Sequence, residues 1–213
     1  MKRAIGYSAI HGRWAPAAIL PAMLLAILFS SHPLRAQALS RQVNLAYLVK
    51  RADIIVQGQI VSVKEESLPG YPNIPTVRVT LNVQSMMRGS AGTTYTFREI
   101  LLGLRSSARR KVNYQIGQQV FLFLPTPSEI GLSSPVGMEQ GRFRIARNPD
   151  GSAMIVNELG NAGLFRNVAQ AVGDEGLKLT PSQQRLAATE RGPVKLDEFS
   201  FLVKSLTALK RIQ

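Results

Sequence analysis

From Val77 to Gln84 the chain alternates without a break. Val77, Val79, Leu81 and Val83 are aliphatic, and Arg78, Thr80, Asn82 and Gln84 between them are polar. A period of two sends the first set to one face of an extended strand and the second to the other. One apolar face and one wetted face are the usual signature of an antiparallel sheet. The segment before it, DIIVQGQIVSV from Asp53, is as apolar but changes phase: Ile54, Val56 and Ile60 share one parity, Val61 and Val63 the other. The change falls near Gly58, where a bulge or sharp coil is easiest to accommodate. Two long strands, one of them strongly bent, suit a small closed barrel. A long hairpin within a β-sandwich is the competing arrangement.

The remaining elements follow by the same reasoning. Gln42–Ala52 predicts a short helix, with Leu45, Leu48 and Val49 at helical spacing and Lys50 and Arg51 in its last turn. Ser67–Pro75, with three prolines and a glycine, predicts a loop. Strands are predicted at 93–99, at 118–124 (apolar on both parities, hence covered on both sides) and at 141–147. In the last, Phe143 and Ile145 are expected to point inward and Arg142 and Arg144 outward. Asn148-Pro149-Asp150-Gly151 is turn chemistry leading to a paired strand at 152–157. Residues 160–195 are glycine-rich and polar and are expected to form a flexible connector with one short helix at 181–188. In the final stretch Leu196, Phe199, Leu202, Val203, Leu206 and Leu209 trace a helical stripe, with Asp197 and Glu198 in the first turn and Lys210 and Arg211 in the last. Such a helix suits packing against the barrel, with contact to a membrane surface as the alternative.

The N-terminus bears on the chemistry. Lys2, Arg3 and Arg13 precede an apolar run, Ala17–Phe29, and the small-residue site Ala36-Gln37-Ala38. These are the three parts of a secretory signal peptide, and the run is shorter than the roughly 20 residues of a spanning helix. Cleavage after Ala38 is expected, giving an exported protein, periplasmic or extracellular. Both histidines (His11, His32) and the single tryptophan (Trp14) leave with the leader, and the chain has no cysteine. The mature chain carries 22 basic and 13 acidic residues, a net charge of +9. A thiolate nucleophile, a Ser-His-Asp triad and a Cys/His zinc site are thereby excluded from it. The adjacent acids Glu65-Glu66, Asp174-Glu175 and Asp197-Glu198 read as solvated surface rather than a catalytic dyad. No metal, cofactor or catalytic role is expected. The organisation expected is a leader over 1–38, a β-domain over 39–159, the connector over 160–195 and a C-terminal helix over 196–213.

The order of these segments carries a resemblance. Ala52-Asp53 leading into IIVQGQIVSV, the strand ending at Arg88-Gly89, and Gly117–Leu124 (GQQVFLFL) together resemble netrin-like modules of the tissue-metalloproteinase-inhibitor type. Bacterial exported proteins of uncharacterised function show a similar pattern. The resemblance covers roughly residues 42–159 and implies a five-stranded OB-like barrel. The animal inhibitors set an N-terminal cysteine on a protease zinc, and this chain has none, so that mechanism does not carry over.

Two function classes follow. One is a non-catalytic binding module with a protein ligand, held by the connections 67–76, 101–117 and 125–141, since rigid scaffolds present their binding residues on loops. The other is a binder of an anionic polysaccharide or envelope surface, because Arg105, Arg109, Arg110 and Lys111 stand within seven residues with no acid between them. The same run also suits an ordinary solvated excursion. Nucleic acid is disfavoured by export. Stacking aromatics outside the expected core are few: Tyr71, Tyr95 and Tyr114.

Overall fold

The computed structural model describes residues 42–101 and 113–211. The leader, its cleavage site and the cations at 105–111 therefore lie outside the described residues. The chain divides into two units, 1–40 and 41–213, and the first falls wholly outside them.

The fold is mainly β. A single antiparallel sheet contains β1 (Ile54–Leu68), β2 (Tyr71–Arg88), β3 (Thr94–Ile100), β4 (Gln119–Leu124), β5 (Arg142–Arg147), β6 (Ala153–Asn157) and β7 (Val194–Lys195). Their order is β3-β2-β1-β4-β5-β6-β7. The five strands expected to share a sheet do so, and β6 extends it as a hairpin on β5. The hydrogen-bonded ladder is open, with β3 at one edge and β7 at the other.

The bend in β1 is real and has the expected seat. Its register with β2 shifts at Ile55/Val56, Gln57/Gly58 and Ile60/Ser62. A Cβ built on Gly58 stands 2.5 Å from the Asn82 carbonyl oxygen, so only glycine lets the two backbones approach this closely. Alternation puts Ile55 on one side of the sheet and Val56 and Ile60 on the other, and the shift at Ile60/Ser62 brings Val63, of opposite parity, to the side of Val56 and Ile60.

Each side carries its own core. On the first, Ile55, Phe121, Phe123 and Phe143 meet the helices α1 (Leu45–Arg51), α2 (Val168–Gly173), α3 (Pro181–Ala187) and α4 (Leu196–Leu206). On the second, Val56, Ile60, Val77, Val79, Leu81, Phe97, Val120, Leu122 and Leu124 close on Leu101 and Tyr114. β4 feeds both cores by alternation, as its two-sided apolar sequence predicts. Side chains of this size contribute about 1.5–3 kcal/mol each when fully buried.

Helix α1 begins at Asn44, whose side-chain oxygen accepts from the Tyr47 amide at 2.8 Å. Its C-terminal carbonyls are closed by Arg88 at the end of β2. Nη1 donates to the Ala52 carbonyl at 2.9 Å and also to Val49, and Nη2 donates to Thr207 at 3.0 Å. One cation thus serves the C-terminal ends of both α1 and α4, where the helix dipole favours it. Phe199 of α4 lies 5.3 Å from the Phe121 ring and 5.1 Å from that of Phe143. Phe201, off the apolar stripe, is exposed.

Two expectations are corrected here. Residues 160–195 are not simply a connector: besides the expected short helix, α3, they form α2 and bury Leu164, Phe165, Val168, Val172 and Leu186 in the helical core. The unexpected helix, α2, spans only six residues, too short for a 3.6-residue period to repeat visibly. The capping box between Thr180 and Gln183 is the signal that marks α3. Likewise 67–75 is not an open loop, because β1 and β2 run on to a turn at Pro69-Gly70. The prolines at 72 and 75 are tolerated there because the pairing of β2 with β3 begins only at Thr76↔Ile100, and the contact at Pro75 uses its carbonyl, which accepts from the Leu101 amide at 3.0 Å.

Candidate functional site

Between the β3 edge and the start of β5 the ladder has no pairing, and two connections fill the space. The 125–141 segment crosses it first. Ser133 donates its amide to the Arg98 carbonyl of β3 at 2.8 Å and its hydroxyl to the Pro125 carbonyl at 2.8 Å. The segment then returns to β4, with Val136 N–H to the Phe123 carbonyl at 2.8 Å and Phe123 N–H to the Gly141 carbonyl at 3.0 Å. Gly141 is required by this return: a Cβ there would collide with the Val136 carbonyl.

Below this crossing lies a cavity of about 150 Å³. Val77, Glu99 and Leu101 line it from the β2–β3 side, Asn113 and Tyr114 from the second connection, and Met138, Glu139 and Arg142 from the β5 side. Two of the three connections expected to hold a ligand therefore meet at one place, 101–117 and 125–141. The third, 67–76, is the far end of the β1–β2 hairpin.

Arg142 is the central residue. It pairs with Leu122, and paired residues of an antiparallel ladder share a face, so its side chain enters the second core. It is 3% exposed, against the expectation that it points outward to solvent. Arg144, two residues on and on the same face, is exposed and pairs with Glu158 at 3.4 Å. The alternation was therefore right, but the outer face is covered at Arg142 and open at Arg144. The cover is Tyr114, whose ring centroid lies 5.0 Å from the Arg142 guanidinium carbon. Tyr114 was expected outside the core and is buried within it.

Tyr114 is held from two sides. Its ring meets Phe97 edge-on at 5.6 Å, and its hydroxyl donates to Glu99 Oε2 at 2.6 Å. Burial pushes the Glu99 carboxyl above its ordinary range, against the hydrogen bond from Tyr114 and the charge of Arg142. Burial likewise pushes the Tyr114 phenol up, so its proton stays in place to make this bond. Arg142 itself finds less. Nη2 stands 3.8 Å from Glu139 Oε1, and neither Nε nor Nη2 has a hydrogen-bond partner among the described residues. Orphaned buried donors are rare in native proteins and carry a desolvation cost.

Of the acids expected as surface, Glu65, Asp174, Asp197 and Glu198 are exposed, whereas Glu66 and Glu175 are half-buried in ion pairs. Glu66 accepts from Arg98 Nη2 at 2.6 Å and pairs with Arg78 at 3.3 Å, bridging two cations that face each other across β2 and β3. Glu175 pairs with Lys50 at 2.5 Å. Among the described residues there is no group of three potential metal ligands, and no helix is long and apolar enough to cross a membrane. Arg105, Arg109, Arg110 and Lys111, the anion-binding candidates of the sequence, lie outside the described residues, although the positions flanking that segment, Leu101 and Asn113, both line the cavity.

Comparison of the chain with protein-family profiles, with curated proteins and with solved structures finds no match.

Proposed function

We propose that the mature protein is an exported, non-catalytic binding module with a netrin-like, OB-like architecture, and that it takes a protein partner at the gap between β3 and β5. The observation that carries this reading is the meeting of two long connections around the Glu99–Tyr114–Arg142 pocket. The pocket is concave, sits on an apolar core and gathers several polar groups at its surface, a form a rigid scaffold gives a binding site. The signal-like leader supports export. The absence of Cys and His from the mature sequence supports binding rather than nucleophilic or zinc chemistry. The charge of +9 favours a partner with an acidic surface.

Immobilised mature protein incubated with an envelope fraction of its native host provides the test. A discrete polypeptide should be retained by the wild type and by Tyr71→Ala at the hairpin end, and lost when Met138 and Asn113, which line the pocket, are both replaced by Ala. Retention indifferent to the rim substitutions would overturn the reading. So would turnover of a hydrolase substrate that a single acidic or Ser substitution abolishes.

A further inference from the structure

We propose that the Arg142 pocket is a carboxylate-binding site, filled in the complex by an acidic side chain of the partner. This deepens the function proposed above and rests on it only for what carries the carboxylate.

The geometry of the guanidinium makes the argument. Arginine presents five N–H donors in a fixed plane and no acceptor. The Nε–H and one Nη2–H run parallel along one edge, the edge that meets both oxygens of a carboxylate at once. In Arg142 the two nitrogens left without a hydrogen-bond partner are Nε and Nη2. The unanswered donors are therefore a matched pair and not two scattered atoms.

The surroundings hold this fork ready. The Arg142 guanidinium carbon sits over the Tyr114 ring, 5.0 Å from its centroid, and the Tyr114 hydroxyl is tied to Glu99. Cation–π contact holds the guanidinium over the ring, and the Tyr114 hydroxyl is a further polar neighbour of the guanidinium. Glu99 accepts the Tyr114 hydroxyl and has no hydrogen bond to Arg142. The nearest anion is Glu139, 3.8 Å from Nη2, too far for a hydrogen bond, on a side chain 55% exposed. Glu139 is a loose occupant of the mouth. Both orphan nitrogens are shut off from solvent, so an entering carboxylate displaces Glu139 outward and takes the bidentate position. A monoanion suits a pocket already flanked by Glu99 and Glu139 better than a dianionic phosphate. Val77, Leu101 and Met138 supply apolar walls for the methylenes that would carry it.

The test is an NMR titration of ¹⁵N-labelled mature protein, reading the Arg142 Nε–Hε resonance at constant ionic strength. Acetate should shift it saturably, and acetamide should not. The capped glutamate N-acetyl-Glu-N-methylamide should act as acetate does, and its glutamine counterpart should be inert. Glu139→Gln should lower the acetate concentration at half-saturation several-fold, because the competing anion is gone. Arg142→Lys keeps the charge but not the fork. It should abolish saturable acetate perturbation of the neighbouring Tyr114 and Leu101 signals. If Arg142→Lys fails to fold, the Glu139→Gln comparison decides alone. A linear, non-saturating response to acetate in the wild type overturns the site, as does a Glu139→Gln half-saturation equal to or above that of the wild type. A response to acetate without one to the capped glutamate overturns the side-chain carrier. No partner protein enters these arms. A failed capture experiment with an intact acetate response therefore removes the partner and keeps the site, and the converse result removes the site and keeps the partner.

Discussion

Glu66 and Glu99 are two glutamates near the β3 edge with opposite electrostatic fates. The hydrogen bond from Arg98 holds Glu66 below its ordinary range, whereas burial lifts Glu99 above it. Linkage then gives opposite signs. Glu66 contributes stability above its unfolded value, and that contribution is lost as pH falls through the lowered folded value. Glu99 binds its proton more tightly folded than unfolded, so its contribution is complete below the unfolded value and declines as pH rises through the raised one. Urea denaturation from about pH 3 to about pH 8 checks this. Glu66→Gln should flatten the acid limb of the stability profile, and Glu99→Gln should remove a decline toward neutrality. Changes of the same sign in both variants would contradict the assignment. None of this was legible in the sequence. Glu65-Glu66 reads as surface, and nothing local to Glu99 announces that Tyr114 and Arg142, 15 and 43 residues away, will enclose it.

The long elements were the legible ones, because their apolar periods repeat often enough to be counted. The β2 alternation correctly placed Val77, Val79 and Leu81 in a core, and the phase change at Gly58 located the register shifts of β1. Among the short elements, α1 and α3 were legible from their spacing and flanking residues, whereas α2 was not: it spans six residues, and its burial comes from tertiary contacts. Arg88 shows how much such contacts carry. Its position beside Gly89 was visible, but its three carbonyl partners come from the ends of α1 and α4, which only the fold brings together. Arg88→Met keeps the aliphatic stem and removes the donors. It should destabilise by about 3 kcal/mol, since charged hydrogen bonds are lost and buried carbonyls are left unanswered. Arg78→Met, on the same strand, removes a half-exposed arginine whose ion pair is with Glu66, and should cost less than about 1 kcal/mol. Equal losses in thermal or urea denaturation would show that Arg88 is not the junction described.

For the described unit as a whole, the decisive feature is an antiparallel sheet that curls without closing. That these strands share one antiparallel sheet was within reach of sequence reasoning. The polar gap was not, because Arg142 alternates like a surface residue, and only the crossing of 125–141 and the return of the chain at Tyr114 cover it. That gap is also where the account places function. Photo-crosslinking in the native host tests it most directly, with a photoreactive residue replacing Met138 at the pocket rim or Tyr71 at the hairpin end, both exposed. The account predicts a discrete protein adduct from position 138, weakened by Arg142→Lys, and none from position 71. An adduct from position 71 with none from 138, or an adduct at 138 indifferent to Arg142→Lys, would contradict it.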